Sequence, residues 1–475
     1  MSQLTLIGTA LILSIFLCQC AKEGPAEDAG RLLPVNSSNY TVATGESTEA
    51  LCDSLYLYAQ ALYFWNNRLP PIEEFSPRRF ASGDGSNIDK LGRLLEAIKA
   101  RSLNMYDRFS YIEEISENAS VASIGGDTGL FIIFDKLKNC RIAYVEPNSP
   151  AARSGLRRGY KIYSVNGVNP IMYGTKPDEL NYKLQNEENT ILVTDERLNQ
   201  RYVTLTPAVY EIKTTSEVQW FQENKTGYLF FSTFQYFSEA LCDSLKHNLE
   251  EFRNKGIKSL IIDLRYNPGG NTSMATLFAH FIVPAARNPI KYNTSFFNDP
   301  VQKIIMNGSG YPTIRQNVAN HELLKILAKQ KHGVYSKDDL IHEIHETNAD
   351  QTSNILKAMH NTNDLNLKTV VFIISKETAS SAEVLINSVK AYESENFKVK
   401  VVGQTSYGKA VGSIPFYLGK KCEYEVNLMS FINKNSQGKS ISEDGIDPDV
   451  NAEDDLSKDF NQKEECIKKA LILAQ

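Results

Sequence analysis

Three buried-strand patterns, each ending in a turn of small residues, constrain the fold more than any other feature of this chain. They occupy residues 256–264 (GIKSLIIDL), 369–375 (TVVFIIS) and 398–402 (KVKVV). Continuous runs of β-branched and aromatic residues are typical of strands covered on both faces. Helical patterns follow the first two runs, at 274–283 and 383–392. Such strand, loop and helix units predict a mainly parallel sheet, whose functional loops gather at the carboxyl ends of its strands.

The loop after the second strand, residues 378–383 (TASSAE), offers a serine nucleophile. We predict that Ser380 lies where the chain leaves the strand, beside the unpaired amides of the helix's first turn. A hydroxyl so placed can attack a carbonyl, and the amides can bind the oxyanion that forms. Taken by itself, a Ser-Ser pair at a helix start is more often an ordinary N-cap.

Lys409 is the candidate base for this serine, because it lies in a glycine-rich turn after the third strand. Histidines do not obviously supply a base: two fall in predicted helices and five in a charged stretch, namely His247, His280, His321, His332, His342, His345 and His360. The ordinary pKa of lysine is about 10.4, so the side chain must be desolvated to act at neutral pH. A solvated surface charge is the alternative for a lone lysine.

The loop after the first strand ends in Asn-Pro-Gly-Gly, residues 267–270. This composition is typical of a turn, and paired glycines let backbone amides come close to a ligand. We therefore expect Gly269 and Gly270 to converge with Ser380 and Lys409 at one edge of the sheet.

Together these segments resemble the C-terminal processing peptidases, the tail-specific serine protease family. The matching runs are DLRYNPGG at 263–270, TASSAE at 378–383, YGK at 407–409 and GIDPD at 445–449. The resemblance implies a crotonase/Clp-like α/β core without metal or cofactor, in which Ser380 is the nucleophile and Lys409 the general base. It also implies an oxyanion hole formed by the amide of Ser381 and one from Gly269 or Gly270.

Two positions depart from the family pattern. Ser-Ser-Ala-Glu replaces the usual Ser-Ala-Ser-Glu, which makes Ser381 a rival nucleophile. Many relatives carry a glutamine four residues after the lysine to orient it, and this chain has Ser413 there. Glu383 and Ser413 are accordingly the candidate supporting residues.

Residues 121–208 resemble a PDZ domain. Gly129, Leu130, Phe131 and Ile132 match the loop and strand that hold a peptide's terminal carboxylate. Such a domain adds an extended peptide to a sheet edge, which implies protein or peptide partners selected by their tails. A packing or gating module on the same fold is an equally acceptable interpretation.

The N-terminus predicts export. Residues 4–17 form an apolar run too short to span a bilayer, typical of a signal peptide. Cys20 follows the run and resembles the lipidated first residue of a bacterial lipoprotein, although Gln19 replaces the usual small residue and no Lys or Arg precedes the run. We expect a lipid-anchored protein of the bacterial cell envelope, periplasmic or surface-facing; a plain secretory signal is the alternative.

The chain is thus predicted to be an α/β multi-domain protein. The predicted units are a signal peptide (1–20), a disordered tether (21–46), a helical domain (47–110), a PDZ-like β-rich domain (111–210), a catalytic core (211–460) with an insertion (288–364), and a C-terminal helix (461–475). The net charge of −5, without a basic patch, argues against a nucleic-acid partner. Neither the cysteines nor the His-Glu-Ile-His run at 342–345 has metal-ligand spacing.

Two hypotheses from different classes follow from the sequence. The first is a serine endopeptidase that uses Ser380 and Lys409 and forms an acyl-enzyme. The second is a catalytically silent peptide-binding or scaffolding protein on the same fold. The first is preferred because serine, lysine and glycine pair occur together.

Overall fold

The architecture was described from a computed structural model of the chain. The residues it describes are 47–114, 126–173, 177–195, 197–210, 219–221, 225–234, 239–284, 292–298, 365–419 and 423–475. The predicted signal peptide, Cys20 and the tether lie outside these ranges, as does most of the predicted insertion. Within these ranges, no helix combines the length and apolarity needed to cross a membrane.

The N-terminal region is helical, as the sequence predicts. Its helices are α1 (Thr48–Leu62), α2 (Ile72–Phe75) and α3 (Asn87–Lys99), with short 3-10 turns at Asn66–Arg68, Pro77–Ala81 and Leu103–Met105. The hydroxyl of Ser47 caps α1 by accepting the Ala50 N–H, and Ser86 forms a reciprocal capping box with Asp89 at α3. Apolar residues of α1 and α3 form one buried cluster with the sheet below them.

That sheet is antiparallel and has β16 (Tyr424–Asn435) at its centre. Its other strands, each paired with β16, are β1 (Tyr111–Glu114), β12 (Asn293–Phe297) and β15 (Val411–Leu418). We predicted that residues 111–114 begin the PDZ-like unit, but they pair with Tyr424–Asn427 of the core. The N-terminal helices and the core are therefore joined through one sheet.

The PDZ-like unit is a five-stranded antiparallel sheet with two helices. Its strands are β3 (Leu130–Phe134), β4 (Cys140–Val145), β5 (Lys161–Val165), β6 (Asn189–Thr194) and β7 (Gln200–Leu205), in that order. The helices are α4 (Pro150–Arg153) and α5 (Pro177–Asn186), with a 3-10 turn at Pro170–Tyr173; β2 (Gly126–Asp127) and β8 (Ala208–Val209) form a separate pair. Strand β3 is an edge of the larger sheet, and α5 packs along it.

The core contains the parallel sheet that the strand patterns predict. Its spatial order is β17 (Val450–Asn451), β14 (Lys398–Gly403), β13 (Thr369–Ile374), β11 (Ser259–Asp263), β10 (Thr226–Phe230) and β9 (Gln219–Phe221), of which only β9 runs antiparallel to its neighbour. Helices α6 (Glu239–Asn254), α7 (Thr272–Ile282), α8 (Ser381–Lys390) and α9 (Glu465–Leu473) accompany it.

Both faces of this sheet are covered. Leu260 and Ile262 belong to one apolar cluster, together with residues of α6, α7 and α8. Ile261, between them, belongs to a cluster on the opposite face that includes residues of α9. Alternate residues of a strand point to opposite faces, so burial on both sides accounts for the uninterrupted apolar runs. The α/β fold class is confirmed, and the loops after β11, β13 and β14 leave the same edge.

Candidate active site

Ser380 lies at the turn between β13 and α8, where its backbone has φ 54° and ψ −120°. Residues other than glycine rarely adopt this conformation, which costs of order 1–3 kcal/mol and persists only when neighbouring contacts enforce it. The side chains of Ala379 and Ser381 on either side are buried, whereas Ser380 is half-exposed. The turn therefore presents the Ser380 side chain while holding its neighbours in the core.

The rival nucleophile, Ser381, is buried in the core. It is 1% exposed, and its Oγ donates a 2.7 Å hydrogen bond to the carbonyl oxygen of Gly270. The Thr272 hydroxyl lies 3.4 Å from the Ser381 Oγ. These contacts make Ser381 a support for the glycine turn and favour Ser380 for attack on a substrate.

The glycine turn lies directly against the serine turn. A Cβ atom on Gly269 would come within 2.6 Å of Ser380 Cβ and 2.7 Å of the Ser381 nitrogen, and Gly269 has φ 94°. Only glycine fits this position without displacing the serine turn. The predicted convergence of the two loops is thus present in the structure.

Two amides are suited to an oxyanion hole. The Gly269 N–H donates 2.9 Å to the Asn267 side-chain oxygen, so this amide is occupied. For the amides of Gly270 and Ser381, the described part of the chain offers no acceptor. Between the two glycines that the sequence left open, the geometry favours Gly270.

Lys409 lies in the loop between β14 and β15, where it is half-buried. Burial lowers the pKa of Lys409 below its ordinary value, although the charges of Glu383 and Asp107 oppose the shift. The Phe109 ring centroid is 5.8 Å from Lys409 Nζ. Burial of the side chain favours the neutral amine that a general base requires.

Glu383 connects the serine loop to the lysine loop. It is fully buried, and its Oε2 accepts the N–H of Ser380 at 2.9 Å and the N–H of Lys409 at 2.8 Å. Its Oε1 accepts the Gly408 N–H at 2.7 Å and the Ser406 hydroxyl. Burial raises the pKa of Glu383, and these four donors oppose that shift. One carboxylate thereby fixes the separation of the two loops.

Ser413, the other candidate supporting residue, faces a different partner. Its hydroxyl donates 3.1 Å to the side-chain oxygen of Asn427 on β16. A bulge between Gly412 and Ser413 shifts the register of β15 at this point. Among the described contacts, Ser413 does not reach the Lys409 amine.

A cavity of about 580 Å³ is lined by Lys409 and Tyr407 of the core. The N-terminal region supplies the remaining lining, from α3 and the segment 108–112. The Arg108 guanidinium donates to the carbonyl oxygens of Tyr407 (2.6 Å) and Glu443 (3.0 Å), and so holds the lysine loop. Local sequence patterns do not indicate this contact, because about 300 residues separate its partners.

The PDZ-like residues Gly129, Leu130, Phe131 and Ile132 lie at the start of β3 and along it, as predicted. Gly129 has φ 67°, and a Cβ there would lie 2.1 Å from Ser149 Cβ. The edge of β3 that has no partner strand faces α5, which is the side on which a peptide strand adds in a PDZ domain.

A buried ionic cluster joins the PDZ-like unit to the core. Arg158 of the PDZ-like unit and Arg265 of the core both contact Asp454, which also accepts the Tyr266 hydroxyl. Burial alone would raise the pKa of the Asp454 carboxyl, but the two arginines outweigh it and hold that pKa below its usual value. Arg265 and Tyr266 belong to the DLRYNPGG run, so the cluster lies directly behind the glycine turn.

Other candidate groups lie away from this site. His280 contacts Tyr292 through its Nδ1 at 3.3 Å, and His247 lies near Glu251 on α6; the remaining histidines lie outside the described residues. Cys52, Cys140 and Cys466 are buried free thiols. In the part of the chain that the structure describes, no group of His, Cys, Asp and Glu is arranged to hold a metal ion.

Comparison with known proteins finds two family models that match parts of this chain. Residues 225–452 match the model of peptidase family S41, and residues 141–195 match a PDZ domain. The core is a peptidase family S41 domain. Its match includes Ser380, Lys409 and the glycine turn, and the PDZ match covers most of β4 and all of β5 and β6.

Two named relatives are similar to this chain in sequence. The chain is 24% identical over 331 residues to a probable CtpA-like serine protease of Staphylococcus aureus (strain MRSA252), covering 68% of this chain and 53% of the relative. It is 23% identical over 348 residues to the carboxy-terminal processing protease CtpB of Bacillus subtilis (strain 168), covering 70% and 56%. The chain spans about half the length of these curated relatives.

A solved S41 chain from Bacteroides fragilis NCTC 9343 shares the fold. The TM-score is 0.60 at 20% identity, and the match covers 92% of this chain and 98% of that chain. At this identity the likeness concerns the fold alone.

Proposed function

We propose that this protein is a serine endopeptidase that hydrolyses peptide bonds of protein substrates through Ser380 and Lys409. The observation that carries the proposal is the Glu383 carboxylate, which accepts hydrogen bonds from the backbones of both residues. The strained serine turn, the glycine turn packed against it and the desolvated lysine are further support. A serine, a base and free amides at one edge of a sheet are the parts that acyl transfer requires.

In the proposed reaction, neutral Lys409 takes the proton of the Ser380 hydroxyl as its oxygen attacks the scissile carbonyl carbon. The amides of Gly270 and Ser381 bind the resulting oxyanion. The C–N bond breaks, the leaving amine takes the proton from Lys409, and an ester to Ser380 remains. Water, deprotonated by Lys409, then attacks the ester, and the proton returns to Ser380 as the new carboxylate is released.

The PDZ-like unit suggests how substrates are chosen. We infer that a protein tail, ending in a free carboxylate, adds to the edge of β3 while the chain upstream enters the S41 site. Lipidation at Cys20 would hold the enzyme at a membrane of the bacterial cell envelope, with its substrates on the same side.

Casein hydrolysis by purified variants tests the assignment. Ser380→Ala and Lys409→Ala should abolish cleavage, and Ser381→Ala should retain it with less than about a tenfold loss, since one supporting hydrogen bond is removed. Lys376→Ala is the matched lysine control, because Lys376 is exposed in the loop before Ser380. Turnover by Ser380→Ala would overturn the assignment. Inactivity of the wild type together with peptide binding would instead favour the silent scaffolding protein.

A further inference from the structure

The edge of β3 that has no partner strand is hydrogen-bonded to a side chain of the protein itself. Asn181 of α5 accepts the Ile132 N–H on its Oδ1 at 2.9 Å and donates its Nδ2 to the Ile132 carbonyl oxygen at 3.0 Å. These are the two backbone groups that a peptide strand added to β3 would use at this residue. One side-chain amide thus reproduces the hydrogen bonds of one peptide residue.

Neighbouring groups at the same end of the groove are occupied in the same way. Gln185, one turn further along α5, donates to the Leu130 carbonyl oxygen at 3.4 Å. The Gly129 N–H donates 2.7 Å to the Asp127 carboxylate, which also accepts the Tyr210 hydroxyl. A carboxylate of the chain itself therefore binds an amide of the loop that we predicted to hold a peptide's terminal carboxylate.

We propose that Asn181 sets the peptide affinity of this groove by occupying the main-chain positions of its ligand. The ligand is the free C-terminal segment of a protein substrate, so the inference rests on the tail selection proposed above. The side chains of the groove, including the apolar and aromatic side chains of β3, select the residues of the ligand. Asn181 competes with the main chain of every ligand. Tails that form weak hydrogen bonds with β3 are excluded, because their binding does not offset the loss of both Asn181 hydrogen bonds.

The size of the effect follows from the two hydrogen bonds. In the wild type, a bound tail replaces two existing protein hydrogen bonds at Ile132, whereas in Asn181→Ala it replaces bonds to water. Two net intramolecular hydrogen bonds correspond to roughly a ten- to hundredfold change in a dissociation constant. Asn181→Ala should therefore bind tails at least about tenfold more tightly.

Fluorescence anisotropy on full-length protein carrying Ser380→Ala tests the proposal without cleavage. The probe is a pool of fluorescein-labelled decapeptides with four random C-terminal residues, used with a free carboxylate and as the C-terminal amide. Tyr182→Ala is the matched control, because Tyr182 is the next residue of α5 and is 66% exposed. We expect tighter binding of the acid pool by Asn181→Ala and unchanged binding by Tyr182→Ala.

Hydrogen exchange gives a second readout that needs no ligand. The Ile132 amide should exchange faster in Asn181→Ala, while the Val193 amide in the interior of the same sheet should not change. Equal or weaker binding by Asn181→Ala, including no binding at all, or unchanged exchange at Ile132, would overturn the inference. Failure of the inference about Asn181 would leave the peptidase assignment unchanged, as long as casein hydrolysis still requires Ser380. Equal binding of the acid and amide pools would overturn tail selection instead.

Discussion

Replacing Glu383 by glutamine tests whether one carboxylate holds the two halves of the site together. The carboxylate accepts four hydrogen bonds, two on each oxygen. Glutamine keeps one oxygen and places an NH₂ group against two donors. In either orientation two donors lose their acceptor: those of Ser380 and Lys409, or those of Ser406 and Gly408. At about 1–3 kcal/mol for each unsatisfied buried donor, Glu383→Gln should lower the free energy of unfolding by roughly 2–6 kcal/mol.

The same substitution should change the pH dependence of catalysis. The Glu383 charge raises the pKa of Lys409, so its removal lets that pKa fall further. Because the reaction needs neutral Lys409, the acidic limb of kcat/KM should move to lower pH, while kcat falls because both loops loosen. Urea unfolding and casein kinetics between pH 5 and 10 measure both effects. Glu377→Gln is the control, since the Glu377 carboxylate accepts the Ser375 hydroxyl in the same loop. A change in unfolding free energy no larger than that of the control, or a limb that moves to higher pH, would refute the reasoning.

Three further substitutions give independent checks. Gly269→Ala should reduce kcat at least about tenfold, because its Cβ would lie 2.6 Å from Ser380 Cβ. The control is Gly256→Ala, which has φ 62° and open space around it, and which should cost only about 1–2 kcal/mol of stability and leave kcat unchanged. Equal kcat in both variants would contradict the close packing. Arg108→Ala should lower kcat severalfold by freeing the lysine loop, whereas Arg93→Ala on α3 should not; similar kinetics would argue against that role. Asp454→Asn should lower the free energy of unfolding by about 3–5 kcal/mol at pH 7, because a buried ionic cluster loses its acid. The pKa of Asp454 is depressed in the fold, so the stability its charge contributes is present above its unfolded pKa of about 3.9 and is lost as pH falls through the folded pKa. In urea unfolding, the free energy of unfolding that Asp454→Asn loses relative to wild type should therefore become smaller below about pH 4. Asp459→Asn is the exposed control. A loss that does not depend on pH would count against this account.

Sequence periodicity predicted the parallel sheet well, because a strand covered on both faces has an uninterrupted run of apolar residues in the local sequence. The run at 369–375 became β13, and the helix expected from residue 383 begins two residues earlier at Ser381. The loops that bear Ser380, Lys409 and Gly269 could be assigned to one edge for the same reason. A parallel sheet places successive loops at the same edge, whatever their separation in sequence.

Contacts between distant segments could not be predicted in this way. Nothing in the local pattern around Arg108 indicates that it binds the carbonyl oxygen of Tyr407, and Arg158 reads as an ordinary surface charge before its burial against Asp454 is known. Asn181 on α5 gives no local signal either, since its partner is a backbone group of strand β3. Such pairings depend on how the units dock, which short-range spacing does not encode.

Covalent labelling with a fluorophosphonate tests the central claim most directly. The reagent captures an activated serine, and peptide mapping by mass spectrometry locates the adduct. We predict a single adduct on Ser380 in the wild type and in Ser381→Ala, and no adduct in Ser380→Ala or Lys409→Ala. An adduct on Ser381, or labelling of Lys409→Ala at the wild-type rate, would contradict a nucleophile at Ser380 that Lys409 activates.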